Sequence, residues 1–412
     1  MTQRFNLFCG IDVGKASHTA CLLDADGRFI LRSQSFNNDA AGFALLLEHL
    51  AGAVKNRPIL LGMEATGHYW YALHDHLTRL GRTVVVLNPV QTAQQAKKQI
   101  RKRKTDKVDA RHIATLLKNG DFRPALIPGE LGMTCRQLSR LWHALLQQRA
   151  RLKQLIRAKL ECIWPEFEAH FADSLCVTAR AILRAAPSPQ DLLGMQKDAL
   201  TQLIEKASRK KLGAKLAQRL QSSAQNSIGM RRGLEGARLA IHTLMDQLDV
   251  TKPVREQLKE QIVALSSRLP GYVLSLPGID EIRAVSLFGE TDPVSTFRDP
   301  EQLVAFAGLD LVVYQTGQYE APHRKISKRG SPHLRRTLWT MASVAVNYES
   351  ELRDYYLRRR RQGLHHLAAV TAVAIKLTRA VWRILTDQRD YHPEGRPKHQ
   401  RDYHPEGRPK QS

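Results

Sequence analysis

Two short apolar runs in this chain each end in a carboxylate, and this constrains the fold more than any other feature. Leu7-Phe8-Cys9-Gly10-Ile11 runs into Asp12, and Ile59-Leu60-Leu61-Gly62-Met63 runs into Glu64. Runs of this length read as buried strands, and a charged residue closes one where the strand delivers it to the rim of a sheet. Two more acids, Asp106 and Asp109, open the helical pattern Asp106-Lys107-Val108-Asp109-Ala110-Arg111. Residues three apart share a helix face, so these two can reach one point. Taken singly, each acid is an ordinary strand-end polar residue or a helix N-cap. In the order strand, strand, helix they predict a cluster whose mutual repulsion a divalent cation would relieve. Hard oxygen donors on an open rim suit Mg²⁺, with Mn²⁺ as a substitute, and such sites cut or join phosphodiesters.

The pattern around these acids predicts an RNase-H-like α/β fold. Strands are expected over 6–13, 17–24 and 28–36, the last two joined by the turn Asp24-Ala25-Asp26-Gly27. A helix over 39–53 places Phe43, Leu46, Leu47 and Leu50 on one face. A strand over 58–64, a helix over 68–80 and a strand over 83–87, stopped by Asn88-Pro89, complete the alternation. The first three strands should be antiparallel, and the later ones should join in parallel through right-handed crossovers.

At 412 residues the chain exceeds one core, and its hydrophobic content of 43% is that of a globular protein. We expect a domain over 1–130, a helical or coiled-coil dimerisation region over 131–268, a mainly helical domain over 269–388 and a disordered tail over 389–412. A net charge of +24, spread along the chain, predicts a polyanion partner. Nucleic acid fits better than a membrane, because no long uncharged apolar stretch occurs. The five cysteines, Cys9, Cys21, Cys135, Cys162 and Cys176, form no CxxC pair, which disfavours zinc knuckles and disulfide frameworks and points to the cytoplasm. Lys97, Lys98, Arg101, Lys102, Arg103 and Lys104 put six cations into eight residues just before Asp106, where they could hold a phosphate backbone over the acids.

Beyond 130, Leu138, Leu141, Leu145, Leu152 and Leu155 predict a packed helix over 134–166, either in the chain's own core or in a dimer. A second long helical region, 231–269, should break at Pro253. Leu276-Pro277-Gly278-Ile279 reads as a helix-hairpin-helix-like turn or a plain structural one. Thr316-Gly317 precedes a basic stretch containing Arg324, Lys325, Lys328, Arg329, Arg335 and Arg336. A hydroxyl facing cations has what attack on a phosphodiester requires, although Thr-Gly turns are common. Arg358-Arg359-Arg360-Arg361 is a further candidate contact for nucleic acid, and the decapeptide Arg-Asp-Tyr-His-Pro-Glu-Gly-Arg-Pro-Lys occurs twice at the end, at 389–398 and 401–410.

Read in order, these motifs resemble the DEDD transposases of the bridge-RNA-guided insertion-sequence family, which includes pilin-gene invertases. The resemblance covers about 6–120 and 270–385 and rests on Gly10-Ile11-Asp12, Met63-Glu64-Ala65-Thr66-Gly67, Leu87-Asn88-Pro89 and Lys104-Thr105-Asp106-Lys107-Val108-Asp109-Ala110-Arg111. In the second half it rests on Leu276-Pro277-Gly278-Ile279, Phe306-Ala307-Gly308-Leu309 and Ile326-Ser327-Lys328-Arg329-Gly330. It implies a RuvC-type N-terminal domain in which Asp12, Glu64, Asp106 and Asp109 bind Mg²⁺, a coiled-coil segment, and a transposase domain with a serine nucleophile. It further implies donor and target DNA, a structured bridge RNA, dimers pairing into tetramers, and a bacterial, nucleoid-associated setting. Where the family has Ser-Gly this chain has Thr316-Gly317, whose extra methyl crowds an in-line approach. We take Thr316 as the nucleophile, with Ser327 the nearest alternative hydroxyl. Two rivals stand beside this reading: a metal-dependent hydrolytic nuclease or junction resolvase using the acids alone, and a non-catalytic nucleic-acid-binding protein.

Overall fold

A computed structural model describes residues 4–54, 57–89, 92, 106–122, 124–311, 315–316, 319–320 and 325–392. The basic run over 97–104, Arg324 and most of the duplicated tail lie outside these residues. The chain divides into two compact units, Met1–Ile127 and Pro128–Ser412.

The first unit is a mixed α/β domain. Its described elements are β1 (Leu7–Val13), β2 (Ser17–Asp24), β3 (Phe29–Asn37), α1 (Ala40–Val54), β4 (Ile59–Glu64), α2 (Trp70–Arg79), β5 (Val84–Leu87) and α3 (Asp106–Asn119). The strands form one sheet in the order β3-β2-β1-β4-β5. β1 pairs antiparallel with β2 and parallel with β4, and β4 pairs parallel with β5. β1 and β4 are central and covered on both sides, so their sequences are apolar without alternation.

Parity separates the two faces of the sheet, because alternate side chains of a strand point to opposite sides. Leu7, Cys9, Ile11, Leu61, Met63 and Val86 join the core beneath α1 and α2. Phe8, Leu60, Val85 and Leu87 face the other way and pack on Ile113, Leu116 and Leu117 of α3. Two glycines on that second face let α3 lie close. A methyl group on Gly10 would collide with backbone atoms of Ala110 and Ala114, and one on Gly62 would meet the Leu117 side chain.

The second unit is mostly helical. It runs through α4 (Glu130–Ile163), the short helices α5 (Val177–Ala185), α6 (Pro189–Leu193), α7 (Lys197–Ser208) and α8 (Ala214–Gln225), then α9 (Leu234–Ser266). There follow α10 (Gly271–Leu274), α11 (Glu281–Thr291), α12 (Pro300–Phe306), β6 (Gln315–Thr316), β7 (Tyr319–Glu320), α13 (Pro332–Ala345), α14 (Ser350–Arg361) and α15 (His366–Asp387). Leu152, Ile156 and Leu160 near the end of α4 share a core with Ile241, Met245 and Leu248 near the start of α9, so these long helices run antiparallel. The segment between them caps this core with Trp164 and Phe167, both fully buried.

One expectation for this region is corrected. α9 continues through Pro253 instead of breaking there. The proline removes one backbone bond, and just before it Ile241, Met245 and Leu248 are held in the core shared with α4. Of the leucines over 138–155, Leu152 is buried in the core of this unit, whereas Leu141 and Leu155 are exposed on the single chain. The first half of α4 instead buries Gly132, Cys135, Arg136, Ser139 and His143. α11 approaches this face so closely that a side chain on Gly289 would strike the backbone of Cys135 and Arg136. Among the described residues no helix is long and apolar enough to cross a membrane.

Candidate active site

Pairing of β1 with β4 ends at Ile11 opposite Met63, one residue before Asp12 and Glu64. The two acids therefore leave adjacent parallel strands at the same level, about 4.8 Å apart in backbone position. Gly10 and Gly62 fix their direction, since residues two apart in a strand share a face, and both glycines face α3. The orientation of α3 follows from its far end. Lys118, in the last turn, lies beside Gly27 in the β2–β3 turn, and that turn sits where Leu7 pairs with Asp24. α3 thus runs opposite to β1, and its first turn, carrying Asp106 and Asp109, lies toward the end where Asp12 and Glu64 emerge. Two strands and one helix bring all four acids to one end of one sheet face.

Glu64 is held on both oxygens: the Thr66 hydroxyl donates to Oε1 at 2.7 Å, and the Thr92 hydroxyl donates to Oε2 at 2.6 Å. The same Thr92 hydroxyl lies 2.9 Å from the Pro89 carbonyl, so its hydrogen bond to Glu64 is made from the chain just after β5. On α3, His112 Nδ1 lies 3.9 Å from Asp109 Oδ1. Burial pushes the pKa of the His112 imidazole down against the pull of Asp109, so near pH 7 it is a neutral neighbour of that carboxylate. Asp109 is half-buried and Asp106 exposed.

The donor set fits a hard divalent cation in kind, being carboxylate oxygens at the open end of a sheet. Among the described residues, however, no group of three or more His, Cys, Asp or Glu side chains is placed to hold a metal ion. Mg²⁺ is commonly held by one or two carboxylates plus water and substrate phosphate, so a complete protein cage is not required. Asp12 and Glu64, sharing a level, are the pair best placed to begin such a site, with Asp106 and Asp109 approaching from the helix.

In the second unit, Thr316 lies in β6, a two-residue strand paired with β7. Thr316 pairs with Tyr319, and Gln315 with Glu320. Below this pairing the two arms are joined by a bridge between Leu311 and Ile326 and by bonds from Ser327 N to the Asp310 carbonyl and Lys328 N to the Gly308 carbonyl. The Ser327 hydroxyl donates to the Asp310 carboxylate, so the alternative nucleophile is engaged at the hairpin base. Gly308 and Gly330 touch, and a side chain on either would strike the opposite backbone. Lys325, Lys328, Arg329 and Arg336 are exposed, whereas Arg335 donates to the Ala307 carbonyl at 3.1 Å.

Reading the sequence alone misses what anchors this hairpin. Glu290 on α11 is fully buried, accepts two bonds from Arg140 at 2.7 and 3.1 Å, and accepts from the Ser331 hydroxyl at 2.9 Å. Burial would raise its pKa, but the bonds and charge of Arg140, with Arg136 and Ser331, hold it below the usual carboxylate range. Beside it the rings of His143 and His333 stack with centroids 5.8 Å apart. A single acid inside an apolar helix carries no spacing signal. The turn at Gly278 also differs from a phosphate-gripping loop: its amide donates to the Tyr348 hydroxyl, and its carbonyl accepts from Arg283 at 2.6 Å. Asp280 caps α11 by accepting from Arg283 N at 2.8 Å.

Residues 9–165 match a family profile of DEDD-type IS110 transposases, described as "Transposase". Residues 271–357 match a second, described as "Transposase IS116/IS110/IS902 family". Across nearly its full length the chain is similar to three insertion-element proteins. It is 26% identical to the 44.8 kDa protein of insertion element IS116 from Streptomyces clavuligerus, over 95% of this chain and 98% of that one. Identity is 24% with the 42 kDa protein of IS900 from Mycobacterium paratuberculosis, over 94% and 97%. It is 23% with the 43.6 kDa protein of IS110 from Streptomyces coelicolor, over 95% and 96%.

Proposed function

Because this chain belongs to the IS116/IS110/IS902 family of insertion-element transposases, whose substrate is DNA, we propose that it cuts and rejoins strands through a covalent link between Thr316 and DNA. Asp12, Glu64, Asp106 and Asp109 are the metal ligands in this reading, and Mg²⁺ bound there would stabilise charge on the phosphate under attack. The observation that carries it is the arrival of four acids, from two strands and a helix, at one end of one sheet face. The strand order β3-β2-β1-β4-β5, antiparallel then parallel, supports a RuvC-type nuclease domain as their carrier.

The chain's own groups have distinct tasks. Thr66 and Thr92 hold Glu64 in one orientation, so no side-chain rotation is needed when DNA arrives. The Thr316 hydroxyl attacks phosphorus, the P–O bond to the neighbouring deoxyribose breaks, and that oxygen leaves as a DNA hydroxyl carrying a proton. The threonyl–DNA phosphodiester conserves the bond energy. Attack by a different DNA hydroxyl then releases Thr316 and joins the new strands. Lys325, Lys328, Arg329 and Arg336, with Lys97, Lys98, Arg101, Lys102, Arg103, Lys104, Arg324 and Arg335, would bind the phosphate backbone. Selection of donor and target by a structured RNA, and assembly of dimers into a tetramer that shares its sites, complete the proposal and rest on the family resemblance.

Denaturing electrophoresis of the full chain with labelled insertion-element ends tests the chemistry. We expect a covalent protein–DNA band that Thr316→Ala and Asp106→Asn abolish while DNA binding is largely kept. Free 5′-phosphate and 3′-hydroxyl ends without an adduct would make the protein a hydrolytic nuclease instead. The guide is tested separately by sequencing RNA retained by protein purified with its flanking DNA transcribed, and no element-derived transcript would remove that part.

A further inference from the structure

The arginine run on α14 gathers around one tyrosine. The Arg358 and Arg359 guanidinium carbons lie 5.2 Å from the centre of the Tyr355 ring, and Lys376 Nζ of α15 lies 5.5 Å from it. Arg359 also donates to the Tyr355 hydroxyl from Nε at 3.1 Å and from Nη2 at 2.9 Å, and its Nη1 donates to Gln362 at 3.1 Å. Lys376 is paired with Glu351 at 3.1 Å. Arg358, Arg360 and Arg361 are exposed.

An ordinary explanation for arginines in the last turn of a helix is the helix dipole, which favours cations there. The dipole amounts to roughly half a negative charge at the helix end, however, while the last turn carries four arginines and α14 holds two acids, Glu351, which pairs with Lys376, and Asp354. Like charges three apart on a helix, here Arg358 and Arg361, repel. The Tyr355 ring offsets part of that repulsion and fixes where the cations sit. Such fixed, incompletely neutralised charge suits a polyanion. The ring itself is half-buried, with cations around it, so it offers no open face for a base to stack on, as single-strand binders require.

We propose that the C-terminal end of α14, with Lys376, is a backbone clamp for duplex DNA in which Tyr355 positions Arg358 and Arg359 on phosphate oxygens. The clamp rests on the DNA-acting reading given above and adds to it a contact outside the acid cluster and the Thr316 hairpin.

The test is the affinity of the full-length protein for a labelled insertion-element duplex, measured over a series of salt concentrations. Loss of two phosphate contacts in Arg358→Gln/Arg359→Gln should weaken binding at least tenfold and flatten the log–log salt slope by about 0.9 per contact. Tyr355→Phe keeps the ring and removes the hydroxyl, and should weaken binding less without changing the number of cations. Should the double variant not fold, judged by circular dichroism, Arg358→Gln alone at its exposed position should still flatten the slope by about 0.9. A variant that binds the duplex with unchanged affinity and slope overturns the proposal, as does a loss confined to RNA. Failure of the unmodified protein to bind duplex would sink the DNA-acting reading itself, and is thereby distinguishable.

Discussion

Glu64 is oriented before any ligand arrives, because Thr66 and Thr92 each occupy one of its oxygens. If Glu64 binds Mg²⁺ as proposed, the groups behind it tune affinity almost as strongly as the ligand, and Thr92→Val should raise the Mg²⁺ needed for half-maximal strand cutting by roughly 10- to 100-fold. A Mg²⁺ titration of cutting checks this, and an unchanged midpoint would remove Thr92 from the site. The strand and helix ends that carry the four acids were legible in the sequence, because apolar runs lead into Asp12 and Glu64 and a helical pattern begins at Asp106. Thr92 was not, since it lies just past Asn88-Pro89 in a stretch without periodicity. His143 was hidden in the same way, being a polar residue on a helix whose buried face the leucines misreport. Burial, with the charges of Arg336 and His333, pushes its pKa from 6.5 down to about 4. A base whose folded pKa is depressed leaves stability intact above about pH 6.5 and erodes it as pH falls toward 4. The loss across that window is on the order of 3 kcal/mol. His143→Gln should flatten the stability–pH curve over that range in denaturant melts.

At the level of elements, α3 is the part on which the site depends. Gly10 permits its backbone to rest on β1, and the obstructing atoms are main chain, which cannot rotate aside. Gly10→Val should therefore cost about 1–3 kcal/mol or more, by overpacking, and displace the turn bearing Asp106 and Asp109. Thermal melting will show the first effect. Strand cutting should fall much further than the lost stability accounts for, and proportional losses would argue against the helix as a carrier of the site. The sheet was readable because strand and helix periods differ and because Gly, Asn and Pro punctuate them. The packing of α4 was not, because periodicity names an apolar stripe without naming its partner. Here α11 fits against glycine, cysteine and serine positions that a hydrophobic count overlooks. Pro253 misled for a related reason: local propensity favours a break, and packing on α4 outweighs it.

For the whole molecule, charge is the property with the broadest consequence. With +24 spread over both units, duplex binding should release many counterions. Raising salt from 50 to 200 mM should weaken binding by a factor on the order of 10³ or more if six or more phosphates are neutralised. Filter binding across that range measures it, and a loss below tenfold would mean that the surplus charge serves another purpose. The alternation along β1 and β4 carries one further consequence. Asp12 and Glu64 reach α3 only because each stands an even number of positions from the glycine the helix rests on. A codon deleted between Gly10 and Asp12 would swing the carboxylate into the oily layer under α1, whereas a conservative replacement leaves it facing α3. Deletion scanning of these strands should accordingly read out as an odd–even rhythm, a trace of the pleat itself in the pattern of tolerated genes.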